Sequence, residues 1–281
     1  MQKNSGLLLV AVIGILLPLS MNNFAAARTA QDDAGKSLTP LQWEIEKQRQ
    51  RLASTEVEDR REALMQLRSM QRAEASRVAL PALSDLAAIV RATAAESVLS
   101  LPPSESVRAL IPLLADKDEF VRQQAAYALG RTRSKLATAA LIELLSDKKD
   151  SVRGAAAVAL GQIADASAVI SLAALVNSAA ASTSKKSKGK PERNPFVLRA
   201  AVSALGQIRN PAALPTLILV LQDEKAEADV RREAATALGA IGDAAALPAL
   251  NSVLMAGDPY LFQAAHQAIR KISRAPAAGG I

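Results

Sequence analysis

The chain has no cysteine among its 281 residues and a single histidine. The first absence excludes disulfides, thiolate metal sites and cysteine nucleophiles. The second leaves general acid–base work and histidine-based metal binding without their usual partners. His266 is followed by Gln267, and no second imidazole exists to complete a ligand set or a Ser/His/Asp arrangement. Aromatic side chains are scarce, with one Trp, two Tyr and four Phe. A core of large rings and a base-stacking nucleic-acid platform are therefore both poorly supplied. No glycine-rich loop of the phosphate-cradling kind occurs. Long apolar runs are missing too: the one near the start, Leu7 to Leu19, falls short of the roughly 20 residues that span a bilayer.

That run has a different meaning. Lys3 is the only charge before Arg28, Pro18 breaks the run near its end, and Ala25-Ala26-Ala27 offers a small-x-small cleavage site. This is the layout of a secretory signal peptide. It predicts a signal segment over residues 1–27, cleaved after about Ala27, and a protein exported to the periplasm or beyond, with no transmembrane span after processing. Residues 28–38 read as a flexible linker. The 34 basic residues exceed the 27 acidic ones, a mild imbalance that suits an acidic partner without naming one.

What the chain does have is alanine in a fixed rhythm. "FVRQQAAYALG" at 120–130 returns as "SVRGAAAVALG" at 151–161 and "DVRREAATALG" at 229–239. Arg60, Arg91, Arg122 and Arg153 stand 31 residues apart, and Arg231 recurs later. Three positions on, alanine occupies all seven copies: Ala63, Ala94, Ala125, Ala156, Ala201, Ala234 and Ala265. Four further come Leu67, Val98, Leu129, Leu160, Leu205, Leu238 and Ile269, then Gly130, Gly161, Gly206 and Gly239 in one slot.

Apolar residues at the first, fifth and ninth positions line one helix face. Alanine at the centre admits a neighbouring helix toward the short end of the roughly 8–10 Å interaxial range. The glycine is expected to take the left-handed conformation that closes the helix. A second apolar stripe follows, as in Leu141, Ile142, Leu144 and Leu145. The unit is thus two short antiparallel helices in 31 residues. Neither is stable alone, since isolated helices under about 12–15 residues are marginal. Stacking unit on unit makes one quasi-one-dimensional core.

"DEFVRQQAAYALG" and "KKDSVRGAAAVALGQI" resemble HEAT repeats, of the short bacterial type first associated with phycobilisome lyases, over residues 57–274. The resemblance implies an all-α, right-handed α-solenoid of about seven two-helix repeats. It says little about sites, because the shared residues are the packing ones. Some HEAT-like proteins are hydroxylases with paired His-Glu motifs for iron. This chain has no His-Glu, so that activity is not inherited. A lyase-type enzyme or chaperone-like lyase subunit is the other enzymatic relative.

Thr39-Pro40-Leu41-Gln42 reads as a capping box with proline at the first helical position, and predicts an N-terminal capping helix within 39–56. Between copies four and five the spacing grows to 45 residues through a lysine-rich stretch, which predicts a mobile basic insertion over 178–194. Residues 275–281 read as a disordered tail.

Two sets of polar residues stand out. Arg60, Arg91, Arg122, Arg153 and Arg231, with Asp118, Asp150 and Asp229 just ahead of three of them, are expected to form a structural ladder: the aspartate caps its helix and pairs with an arginine one repeat away. The rival is a guanidinium row that binds phosphate or carboxylate chains. Arg131, Arg133 and Lys135, with Lys185, Lys186, Lys188, Lys190 and Arg193 of the insertion, are the candidate partner-binding residues. Turns within repeats look basic and turns between them acidic, so one edge is expected to be positive.

The functional expectation is a non-catalytic exported scaffold whose second helices line a concave groove for another protein, with no cofactor, metal or small-molecule substrate. The alternative is an electrostatic binder of an anionic surface or polymer, such as polysaccharide, lipid or nucleic acid. Steep salt dependence would mark the second.

Overall fold

A computed structural model of the chain describes residues 38–180 and 192–274. The expected signal segment and tail, and Lys185, Lys186, Lys188 and Lys190, lie outside the described residues. The chain divides into two compact units, Met1–Glu44 and Ile45–Ile281. In the described part of the first, the capping box is present. Thr39 N–H donates to Gln42 Oε1 at 2.9 Å, and Gln42 N–H donates to Thr39 Oγ1 at 3.3 Å. The helix they open, α1, runs over Pro40–Arg51.

Fourteen α-helices and no strands occur among the described residues. First helices of the repeats are α2 (Val57–Ser69), α4 (Ala88–Ser97), α6 (Glu119–Arg131), α8 (Asp150–Ile163), α10 (Pro195–Ile208), α12 (Ala228–Ile241) and α14 (Pro259–Arg274). Second helices are α3 (Ala73–Ala79), α5 (Pro103–Leu110), α7 (Thr138–Leu144), α9 (Val169–Ala180), α11 (Leu214–Gln222) and α13 (Leu247–Ser252). The second unit is therefore an α-solenoid of six complete pairs closed by a seventh first helix.

Each first helix packs on the next along the whole stack, including α8 on α10 across the insertion. The alanine slot explains why. Ala63, Ala94, Ala125, Ala156, Ala201, Ala234 and Ala265 are all fully buried. Second helices bury an equivalent position in every repeat: Ala79, Leu110, Leu141, Leu172, Leu217 and Leu250 have no exposed surface.

The glycines do something other than close helices. Gly130, Gly161, Gly206 and Gly239 sit inside first helices, in ordinary helical conformation. A Cβ on Gly206 would lie 2.7 Å from Ala237 Cα, and one on Gly130 would lie 2.7 Å from Ala159 Cα. These are contact glycines that let consecutive helices touch backbone to backbone. Closure comes three residues later, at Gln71, Arg133, Ala164, Arg209 and Gly242, all with positive φ. Only one of those five is glycine.

Candidate interaction face

The strongest polar signal in the sequence resolves into a spine of ion pairs. Arg60 reaches Asp85 through Nε at 2.7 Å and Nη2 at 2.9 Å. Arg91 holds Asp116 at 2.7 and 2.8 Å, and Arg122 holds Asp147 at 2.8 and 3.0 Å. Each aspartate also accepts from the backbone of its own turn: Asp85 from Ala87 N–H, Asp116 from Asp118 N–H, Asp147 from Lys149 N–H. The remaining arginine nitrogen donates backward, Arg91 to the carbonyl of Asp85 and Arg122 to that of Asp116, both at 2.8 Å. One guanidinium thus ties the turn before its helix to the turn after its repeat. The fourth rung uses Glu192, whose Oε2 lies 2.6 Å from Arg153 Nε.

The expected acid partners are different residues. Asp118 caps its own helix, accepting from Phe120 N–H at 2.9 Å. Asp150 pairs with Arg153 and accepts from Asn194 Nδ2. Asp229 pairs with Arg232, and Arg231 forms no rung, donating instead to the Leu221 carbonyl. Arg232 takes over that end, reaching Asp258 at 3.0 Å and lying over the Tyr260 ring. The guanidinium-row reading loses its basis, because Arg91 and Arg122 are buried and each is occupied by a carboxylate.

These pairs titrate. Hydrogen bonds from Arg60 and Arg91 hold Asp85 and Asp116 below the usual carboxylate range. Burial pushes Asp147 and Glu192 up, but Arg122, Arg153 and backbone N–H groups outweigh it and both end lowered. Carboxyls that are more acidic folded than unfolded add stability above their unfolded pKa near 4, and lose it as pH falls through the depressed values. The urea midpoint is therefore expected to drop steadily below about pH 5. A flat midpoint from pH 6 to 3 would contradict the spine.

The outer side of the second helices carries the other pattern. Three positions per repeat, spaced i, i+4 and i+7, follow one face of each second helix and of the 3₁₀ segment or turn that continues it. They are Arg77, Pro81 and Ser84; Arg108, Pro112 and Ala115; Ala139, Glu143 and Ser146; Ile170, Ala174 and Asn177; Pro215, Leu219 and Gln222; Pro248, Ser252 and Met255. Every one is exposed. The first three repeats place Arg77, Arg108 and Glu143 on this ridge, whereas repeats four to six place no charge on it at all. Their second helices contain no charged residue anywhere. Depletion of charge with exposed apolar side chains marks the centre of an interaction surface.

First helices offer a different surface. Their outward positions are mostly polar, as at Arg199, Ser203, Gln207, Thr236, Gln263 and Gln267, with Met65 and Phe262 the exposed apolar exceptions in the terminal repeats. Exposed Ile89, Phe120, Phe196 and Tyr260 share one slot near the helix starts, but these lie among the charged turns of the spine.

A family model described as HEAT repeats matches residues 45–130, 76–160, 107–186 and 191–270. The chain belongs to the HEAT-repeat family. No curated protein sequence matches it. Among solved structures, its HEAT array is similar to a karyopherin bound to the extreme C-terminus of a protein phosphatase, at 15% identity and a TM-score of 0.57. That alignment covers 89% of this chain and 31% of the karyopherin. An engineered protein aligns at 21% identity and TM-score 0.50, over 84% of this chain and 69% of its own. The complex of CpcE and CpcF of phycocyanin lyase from Nostoc shows 23% identity over 86% of this chain and 96% of that one, at a TM-score of 0.48. At these identities the likeness is one of fold.

Within the HEAT array the candidate partner-binding residues separate. Arg131 is paired with Glu96, which also meets Arg68 at 3.1 Å, so it serves to join three repeats. Arg133 and Lys135 are exposed beside the start of α7. Arg193 is exposed, but its backbone N–H donates to Glu192 Oε1, and Glu192 N–H donates to Ser178 Oγ. Both ends of the expected insertion are consequently built into the array: α9 extends to Ala180, and residues 192–194 are pinned by hydrogen bonds. The expected basic edge is interrupted by Asp165 and Asp243, which cap second-helix starts. Sequence reasoning missed the uncharged ridge, although its signal was present as three second-helix segments without Asp, Glu, Lys or Arg.

Proposed function

We propose that this HEAT-repeat chain is a non-catalytic, exported scaffold that docks a protein partner on the outer ridge of its second helices in repeats four to six. The observation that carries the reading is the run of three uncharged second helices with Ile170, Leu219 and Met255 exposed. An electrostatic binder would concentrate charge on its contact face, whereas the second helices of repeats four to six carry none. The single histidine supports the non-catalytic part: His266 is exposed and stacked on Phe262 at 5.9 Å. Among the described residues no group of three potential metal ligands converges, and no helix is long and apolar enough to cross a membrane. The signal-peptide layout supports export.

The test is retention of partner proteins from an extracytoplasmic extract by residues 28–281, washed at low and high salt. A protein held at high salt, and released about tenfold more readily by the double variant I170E/L219E, fits docking on the ridge. Retention that vanishes with salt and ignores that variant would favour an anionic polymer instead. Compartment fractionation of the tagged full chain checks export independently.

A further inference from the structure

In repeats three to six the exposed large apolar residues of the second-helix layer are not scattered. Taking Ala139, Ile170, Pro215 and Pro248 as equivalent positions, Leu136 lies three before it in repeat three. Ile170 lies on it in repeat four, Leu219 four after it in repeat five, and Met255 seven after it in repeat six. Their exposures are 65, 80, 50 and 93%. Ile170 and Leu219 stand on their α-helices, Leu136 in the 3₁₀ turn that leads into α7 and Met255 in the 3₁₀-type turn that follows α13, so the offsets of −3, 0, +4 and +7 follow one face of the helix and its continuations. One large apolar side chain per repeat, shifted by about one turn each time, draws an oblique line across four stacked units.

The spacing of that line can be estimated. Each step advances three or four residues, about 5 Å along the second-helix axis, and crosses about 8–10 Å between neighbouring helices. Successive apolar side chains are therefore roughly 10 Å apart, on a line crossing the second helices at roughly 60°. In an α-helix, residues seven apart are separated by about 10.5 Å along one side. The crossing is close to the commonest helix-packing class, at about 50°. An extended strand would present its like-facing side chains about 6.6 Å apart and fall out of step.

The ends of the line differ in charge. Leu136 is flanked by exposed Arg133 and Lys135. The edge where Met255 lies carries exposed Glu224 and Glu227 in the preceding turn, with one Lys225 between them, while the half-buried Asp258 is taken up by Arg232. A helix is most stable with acid in its first turn and base in its last. Resting on the scaffold reading above, we infer that the docked element is an amphipathic α-helix of about 22 residues with apolar positions in heptad register. Its acidic N-terminal turn lies over repeat three and its basic C-terminal turn over repeat six.

The probe is a pair of synthetic helical peptides of about 24 residues with one shared heptad stripe. One is acidic first and basic last, and the other has these ends exchanged. Their binding to the full chain is followed by fluorescence anisotropy. The acid-first peptide is expected to bind about tenfold more tightly than its reverse. I170E and L219E should each weaken it by a similar factor, and T236E on the first-helix side by less than about twofold. Equal affinity for both peptides, indifference to I170E, or no binding would overturn the inference. A photo-crosslinking residue placed at 136, 170, 219 and 255 separates it from the scaffold reading. Crosslinks to one partner segment at successive seven-residue steps support the helix. Crosslinks to a protein through scattered or extended segments overturn the helix and leave the scaffold standing. Crosslinks to no protein overturn both.

Discussion

Replacing Arg122 with Met destabilises the chain by about 3–5 kcal/mol, the expected cost of leaving a buried charge without its partner. The guanidinium is 6% exposed and the Asp147 carboxylate it holds is 11% exposed. Methionine fills much the same volume, so lost packing contributes little and the effect is electrostatic. Asp147 keeps one donor, Lys149 N–H, but the carbonyl of Asp116 loses its own. A double variant, R122M/D147N, should recover a large part of the loss, since a pair removed together leaves no stranded charge. Urea unfolding of the wild type, both singles and the double measures the coupling. If R122M costs under about 1 kcal/mol, the spine is a surface decoration and its regularity has another origin.

Gly206→Val is the second large effect, and its interest lies in its sign. In a free helix, replacing glycine by a side chain is neutral or favourable, with alanine better by about 1 kcal/mol. Here the new Cβ would stand 2.7 Å from Ala237 Cα and Cβ, with backbone that cannot rotate away. Forcing α10 and α12 apart should cost about 3 kcal/mol and loosen every repeat beyond that contact. G206A already reverses the free-helix preference, and A237G in the same chain should restore part of it by removing the facing Cβ. Gly242 is the control: its φ is +80° and nothing lies within 4 Å, so G242A should cost only about 1 kcal/mol, through backbone strain alone. Were G206A to raise the urea midpoint, the two helices could not be in backbone contact.

The two effects show where sequence reasoning reached and where it stopped. Both arginine and glycine were visible as periodic, and each was assigned a role: pairing one repeat away with the aspartates just ahead of the arginines, and closing the helix. The actual roles depend on what stands across the gap. Asp116 and Asp118 lie within six residues of Arg122 in the chain, and only the packing of α6 against α8 selects Asp147 over Asp118. Gly239 and Gly242 stand three residues apart; the first, like Gly206, is kept small by the next helix and the second by its own backbone.

By itself the sequence determined the helical unit, its 31-residue period, the buried alanine slot and the stacked array, because each unit folds against a near copy of itself. Only the tertiary structure decided which charges are spent inside and which surface is left bare. Ion-pair partners 25 residues apart and an apolar line across four repeats are relations between units, and a period read along one chain does not say which of its positions meet.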